Sequence, residues 1–308
     1  MRPTRAVTPI AGPRREGAAR GSGRRSFVAL GDSLTEGVGD PVQGGWRGWA
    51  ALLAAGLTAD GAAGPSVRFT NLAVSGARSR DVRERQLPTA LECRPDLASV
   101  IVGVNDTLRH SFDIRAVAAR LDQVYAALTG QGAVVLTACL PDPGRMLGLP
   151  AALARPLARR QQAVNVVVHA LSQRYGALHV HACEDEWIAD RAMWSADRLH
   201  PGERGPRQLA LRFHVLLAEH GLATGPAPSS EPEAPGPTVP GRLWWLATAG
   251  TGWVARRCAD LLPQLLVLAA DELGHRARGT SARLDIRASA AVSAALASLA
   301  PAERPGPA

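Results

Sequence analysis

Five short apolar runs punctuate the chain, at 26–31, 68–74, 98–104, 132–138 and 177–182. They are nearly continuous rather than alternating, which predicts strands buried on both faces. Between them, helix-period patterns cover 46–60, 79–92, 113–129, 152–175 and 205–221. In the third of these, Val117, Leu121, Val124 and Leu128 make an inward stripe behind Asp113 as N-cap, and Gly130 and Gly132 end it. Strand and helix in alternation predict an α/β domain over 26–221, built on a parallel sheet.

Three stretches break the pattern. Residues 140–150, Leu-Pro-Asp-Pro-Gly-Arg-Met-Leu-Gly-Leu-Pro, are too rich in Pro and Gly for regular structure. They leave the end of the fourth strand, where an α/β sheet binds ligands, so they are read as a wall or lid or a plain connection. Residues 222–241 hold six prolines between Pro226 and Pro240 and read as a semi-extended linker. Beyond it, Trp244, Trp245, Leu246, Trp253 and Val254, then Leu261, Leu262, Leu265, Leu266 and Leu268, predict one or two amphipathic helices with Arg256 and Arg257 between them. Packing back on the domain is the simplest role for this 242–308 extension; contact of 242–275 with a membrane surface or a protein partner is the alternative. An Ala-rich helix is predicted at 289–300, before a frayed end.

Charge narrows the partners. All 35 basic Lys+Arg positions are Arg, and the net charge is +8. Residues 1–25 hold seven Arg against Glu16, a net +6, so the body from residue 26 carries only +2. The first 25 residues therefore read as a disordered Arg-rich tail, and specific nucleic-acid binding is not expected. That tail has no apolar core of a secretory signal, and no uncharged run approaches the ~20 residues needed to span a bilayer, so a cytoplasmic protein is expected. Cys93, Cys139, Cys183 and Cys258 lie far apart with no C-x-x-C pair, which predicts buried reduced thiols rather than a disulfide framework or metal site.

Candidate chemistry begins at the end of the first run, where Gly31-Asp32-Ser33 stands at a strand-to-helix turn. A serine there can be presented on rigid support, with nearby backbone N–H groups for a developing oxyanion. By itself the tripeptide is what ordinary turns use. Downstream, Gly76 follows the second run and lets backbone approach a ligand. Asn105 follows the third and offers a neutral side-chain N–H donor. Asp197 and His200 follow the fifth, spaced so that one turn sets carboxylate beside imidazole. His179 and His181 share a strand face, with Glu184, Asp185 and Glu186 nearby, but no third ligand at a recognised spacing accompanies them, so structural histidines are expected and no metal. Asn105-Asp-Thr107 is a formal glycosylation triplet, empty of meaning without secretion. Trp46 and Trp49, one helical turn apart, are expected in the core.

The blocks Gly31-Asp-Ser-Leu34, Gly76, Gly103-x-Asn105-Asp and Asp197-x-x-His200 together resemble the SGNH/GDSL family of serine hydrolases, over about 26–221. With Trp46-Arg-Gly-Trp49 and Met193-Trp-Ser-x-Asp-Arg-Leu-His-Pro201 the chain is most similar to actinobacterial members. The G-x-S-x-G elbow of other lipases is absent. The resemblance implies a flavodoxin-like three-layer α/β/α sandwich with five parallel strands. It also implies Ser33 as nucleophile, His200 as general base and then acid, and Asp197 as its orienter, with Asp32 left to shape the turn. The backbone N–H groups of Ser33 and Gly76 and the side chain of Asn105 would form the oxyanion hole, with no cofactor.

The expected activity is hydrolysis of a small-molecule, lipid or sugar ester through an acyl-enzyme on Ser33. A carbohydrate O-deacetylase, a thioesterase or an acyltransferase would use the same residues, and a non-catalytic module docking through its Trp-rich C-terminal segment ranks last.

Overall fold

The computed structural model describes residues 25–43, 45–57, 67–184, 190–195, 200–233 and 251–299. The expected tail, Asp185, Glu186, Asp197, Trp244, Trp245 and Leu246 lie outside these, as do the side chains of Glu184, Trp253, Val254 and Cys258.

Five parallel strands make the central sheet: β1 (Arg25–Gly31), β2 (Val67–Asn71), β3 (Leu97–Ile101), β4 (Val134–Ala138) and β5 (Leu178–Val180), in the order β2-β1-β3-β4-β5. The order reverses at β1, so the carboxyl ends of β1 and β3 flank a crevice. Strands β2 and β3 are shorter than their apolar runs. Ala73 and Val102 remain buried after the backbone has left the ladder, so apolar sequence outlasts the strand.

Alternate residues on the strands face two layers of helices. On one side, Val28, Leu30, Val100 and Val135 meet α6 (Ile114–Gly130) and α8 (Ala151–Tyr175). The helical run 79–92 joins this side. It comprises α3 (Ser79–Asp81), a π-helical turn (Val82–Gln86) and α4 (Leu87–Glu92). On the other side, Phe27, Ala29, Ile101, Leu136 and Val180 meet α2 (Gly48–Gly56) and α9 (Arg204–Glu219). The result is the three-layer α/β/α sandwich. In α6, Asp113 accepts the Arg115 N–H as N-cap, and Val117, Leu121, Val124 and Leu128 are all buried. Three short helices sit at the carboxyl end of the sheet: α1 (Ser33–Glu36), α5 (Val104–Thr107) and α7 (Pro143–Leu147).

Two expectations need correction. The loop 140–150 contains α7, because its helix-breaking residues stand at helix ends: Pro143 at the first position, Asp142 accepting the Gly144 N–H, and Gly148 closing it in the left-handed region. Trp49 is core and stacks on Phe213 at 4.8 Å between ring centroids, but Trp46 is exposed. Helix α2 starts at Gly48, and Trp46 falls in a two-residue strand paired with 41–42.

Residues 222–233 have no helix or strand and run back over the domain. Pro226 and Pro228 lie against Gly56, and Glu233 meets Arg47 and Arg207. Beyond them, α10 (Thr251–Ala277) and α11 (Ser281–Ala297) pack outside α8 and α6. Helix α11 begins earlier than its Ala-rich stretch because Gly279, at φ 65°, makes the turn and Asp285 is drawn to Arg159. Val292 and Ala295 enter the main core, and Leu268 packs on Leu108 and Leu157. Among the described residues no helix is long and apolar enough to cross a membrane.

Arg159 fastens both helices, donating to Glu272 at 3.1 Å and Asp285 at 2.7 Å. Glu272 is buried, so loss of Arg159 would leave its carboxylate with only Arg155, 3.9 Å away. Arg159→Ala is expected to lower the free energy of urea unfolding by about 3 kcal/mol, while adding Glu272→Leu should restore most of it. Equal losses in the single and double variants would show that the pair does not hold the helices.

Candidate active site

Strand β1 ends at Gly31, whose backbone N–H donates to the Gln86 side-chain oxygen while the Gln86 amide donates back to the Gly31 carbonyl, both at 2.9 Å. A Cβ on residue 31 would collide with the Ile101 carbonyl, so only glycine lets β1 and β3 run this close. Asp32 then caps α1: its carboxylate accepts the Leu34 N–H at 3.1 Å, and its carbonyl accepts from Thr35 and Glu36. Ser33 is therefore the first residue of a single helical turn, which Gly37 closes at φ 102°.

Asn105 reaches the same point from β3. Gly103, at φ 136°, turns the chain into α5, and the Asn105 amide donates to Asp32 at 3.2 Å and to the Ala77 carbonyl at 3.1 Å. Gly76, at φ 83°, sits just before Ala77. Downstream, that loop is fixed by Asp106, which accepts from the Ser79 N–H at 2.9 Å and its hydroxyl at 2.6 Å. His200 arrives from the far side of the crevice. Its carbonyl accepts from Ser195, Trp194 bridges Pro201, and Gly39 packs against the His200 Cβ.

Ser33, Asn105 and His200 line one pocket of about 70 Å³ together with Asp32. Its remaining wall is mostly apolar: Leu34 and Val104, Leu108, Leu140 and Met146 around the crevice, and Leu261 from α10. Gly76 lies beside this pocket, tied to it through Ala77 and Asn105, while Asp197 lies outside the described residues.

Burial raises the Asp32 carboxyl from 3.8 to about 6, the Leu34 N–H and the nearby His200 charge pulling the other way. Asp106 is also raised by burial, with the Ser79 hydrogen bonds opposing. Two supporting residues went unnoticed in the sequence, Gln86 and Asp106. Gln86 had a signal, a lone polar side chain within the apolar stripe of Val82, Leu87 and Ala90; Asp106 stood beside Asn105 without one.

Behind His200, Asp40 is buried and takes both Arg47 Nε and a terminal nitrogen at 3.1 and 3.2 Å. Arg47 continues to Glu203, which also pairs with Arg207. This chain of charges locks the Gly37–Gly39 turn to the start of α9.

A model of the GDSL-like lipase/acylhydrolase family matches residues 29–208. The chain is similar in structure to TesA (TM-score 0.52, 23% identity, covering 64% of this chain and 99% of that one). It is also similar to LAE5, an α/β hydrolase enzyme from the metagenome of Lake Arreo (TM-score 0.52, 20% identity, 66% and 98%). A third likeness is to Axe2, an acetylxylan esterase of Geobacillus stearothermophilus (TM-score 0.51, 19% identity, 65% and 96%). These likenesses establish a shared fold. No curated protein matches.

Two predictions follow from the geometry. Gly39 adopts φ 104°, and a Cβ there would strike the Pro201 carbonyl and stand 3.2 Å from the His200 Cβ. Gly39→Ala is expected to displace His200 and cut kcat/KM on p-nitrophenyl acetate about 100-fold with an unchanged circular dichroism spectrum. Near-normal turnover would show that the turn does not position the imidazole. The second concerns Asp32, whose pKa burial lifts from the ordinary 3.8 to about 6 in the folded protein. Between these values the folded state keeps a proton that the unfolded chain has lost, so this group's contribution falls as pH rises and then levels off. Asp32→Asn should therefore gain stability relative to the parent between pH ~4 and ~6, by roughly 3 kcal/mol. Parallel stability curves across that range would rule out the buried, proton-retaining carboxyl.

Proposed function

The chain belongs to the GDSL-like lipase/acylhydrolase family and is a carboxylic ester hydrolase; we propose that it works through an acyl-enzyme on Ser33, with His200 as general base and acid and Asp197 as its orienter. The observation carrying this reading is that Ser33, Asn105 and His200, far apart in sequence, line one pocket whose other walls are apolar.

In the forward step Ser33 Oγ forms a bond to the acyl carbon as His200 takes the hydroxyl proton. The carbonyl oxygen becomes an oxyanion, facing the backbone N–H groups of Ser33 and Gly76 and the Asn105 amide. Both Asn105 protons are engaged in the resting site, with Asp32 and with Ala77, so one of those bonds yields when the oxyanion forms. Collapse breaks the ester C–O bond, and the leaving alcohol takes its proton from His200. Water then attacks the acyl carbon, giving one proton to His200, and the acid departs with Ser33 restored.

The apolar wall receives the acyl group, so we infer small-molecule esters with an aliphatic acyl chain as the substrate class. An acyltransferase or a sugar deacetylase would use the same residues; free acid as product, whatever alcohol is added, separates hydrolysis from transfer.

Ser33→Ala is expected to lower turnover of short p-nitrophenyl esters by at least about 10⁴-fold and to abolish labelling by a fluorophosphonate. Labelling that survives in the variant would remove Ser33 from the nucleophile's role.

A further inference from the structure

We propose that Cys139, His179, His181 and Cys183 form a zinc site at the carboxyl ends of β4 and β5, directly behind the wall of the catalytic pocket. The argument starts from strand register. Thr137 and His179 are partners across β4 and β5, so Cys139 and His181, each two residues further on, leave the sheet side by side. The Cys139 sulfur and one ring nitrogen each of His179 and His181 lie within 4.8 Å of one another. The turn that follows β5 brings a second sulfur beside this group, with Cys183 Sγ 2.6 Å from Cys139 Sγ; two thiolates on one Zn²⁺ stand about 3.7 Å apart, so Cys183 must rotate away from Cys139 to join as the fourth ligand.

A hydrogen-bond relay prepares one imidazole as a ligand. Ser172 Oγ donates its only proton to the Val168 carbonyl at 2.7 Å. At the 2.7 Å contact between Thr137 and Ser172 the threonine must then be the donor. Its hydroxyl proton thus spent, Thr137 can only accept from His179 Nδ1 at 2.9 Å. His179 is thereby fixed as the Nδ1–H tautomer, with its lone pair on Nε2. That nitrogen is buried and has no hydrogen-bond partner among the described residues. A buried acceptor left bare is costly, and a metal ion is the partner this geometry lacks. The arrangement matches the rule that a ligating histidine donates its other N–H to a fixed acceptor.

The donor chemistry selects the ion. Two thiolates and two imidazoles suit tetrahedral Zn²⁺ once Cys183 has turned in, and among the described residues no carboxylate joins the group as Mg²⁺ or Ca²⁺ would need. The Cys183 N–H already donates to Cys139 Sγ at 3.2 Å, a contact that would favour the thiolate. Binding releases the two thiol protons to solvent. His169 of α8 lies against both imidazoles, 5.3 Å from His179 and 5.2 Å from His181 between centroids, and packs them from the helix side. Sequence spacing hides the site, since its ligands span two strands and a turn. Cys139 also lines the pocket, so the ion fixes the segments that form that wall.

The test uses the full chain, purified with reductant and stripped by a chelator. Titration with Zn²⁺ against a chromogenic competitor should give one equivalent of tight binding. Titration with Co²⁺ should give thiolate charge-transfer and tetrahedral ligand-field bands. Cys139→Ser and His181→Ala should each weaken binding at least about 100-fold, and Thr137→Val about tenfold, with Cys93→Ser unchanged. His181 is exposed, so that variant keeps its fold. Absence of a stoichiometric ion, a Co²⁺ spectrum unaltered in His181→Ala, or a Cys139–Cys183 disulfide persisting in freshly reduced protein would each overturn the assignment.

Discussion

The site depends on one buried carboxylate. Asp32 joins three pieces of chain that share no strand or helix: the end of β1, the first turn of α1 and the Asn105 amide from α5. Its burial is unfavourable for the charged form, which is why its pKa climbs to about 6. The hydrogen bonds offset part of that cost and in doing so fix where Ser33 and Asn105 stand relative to each other. A turn without the carboxylate would leave the Leu34 N–H unsatisfied and Asn105 with a single anchor. The Gln86 clamp on Gly31 acts one residue earlier, so the strand end cannot drift beneath the cap.

Around this centre the protein uses charge at a distance and apolar surface at the pocket. The Asp40, Arg47, Glu203 and Arg207 chain holds the turn that backs His200 and places no charge in the apolar wall. Residues 222–233 extend that chain through Glu233, which meets both arginines. Helix α10 closes the other side, sending Leu261 into the pocket and Gln264 to the His110 N–H at 2.8 Å. The segment after the α/β body therefore contributes to the pocket wall, held to α8 by Arg159 through Glu272 and by Leu268 against Leu157.

Much of this was legible in the sequence because burial on both faces writes continuous apolar runs. Apart from the π-helical turn that divides 79–92, all five strands and the five helical stretches of the body appear where the pattern put them, with errors confined to their ends. Those errors share a cause: Val102 is as apolar and buried as a strand residue while its backbone has already turned toward Gly103. Trp46 misled in the opposite way, since helical spacing to Trp49 carries no information on where the helix begins. At the site, Ser33, Asn105 and His200 stood out in the sequence as parts of the blocks that resemble the family, and the structure sets all three on one pocket. Gln86 and Asp106 act through backbone groups of distant residues, and no local spacing encodes that.

Cys139 shows why the two functional regions cannot be treated separately. Its backbone lies between Ala138 and Leu140, all three lining the pocket, while its sulfur turns to Cys183 and the histidines behind. A strand ends only once, and after β4 the same few residues must serve both the crevice and the edge beside β5. With an ion bound to the sulfur, any shift of the pocket wall would strain a coordination sphere drawn from both strands. The wall of an apolar pocket would thus gain rigidity from imidazoles that stand behind it.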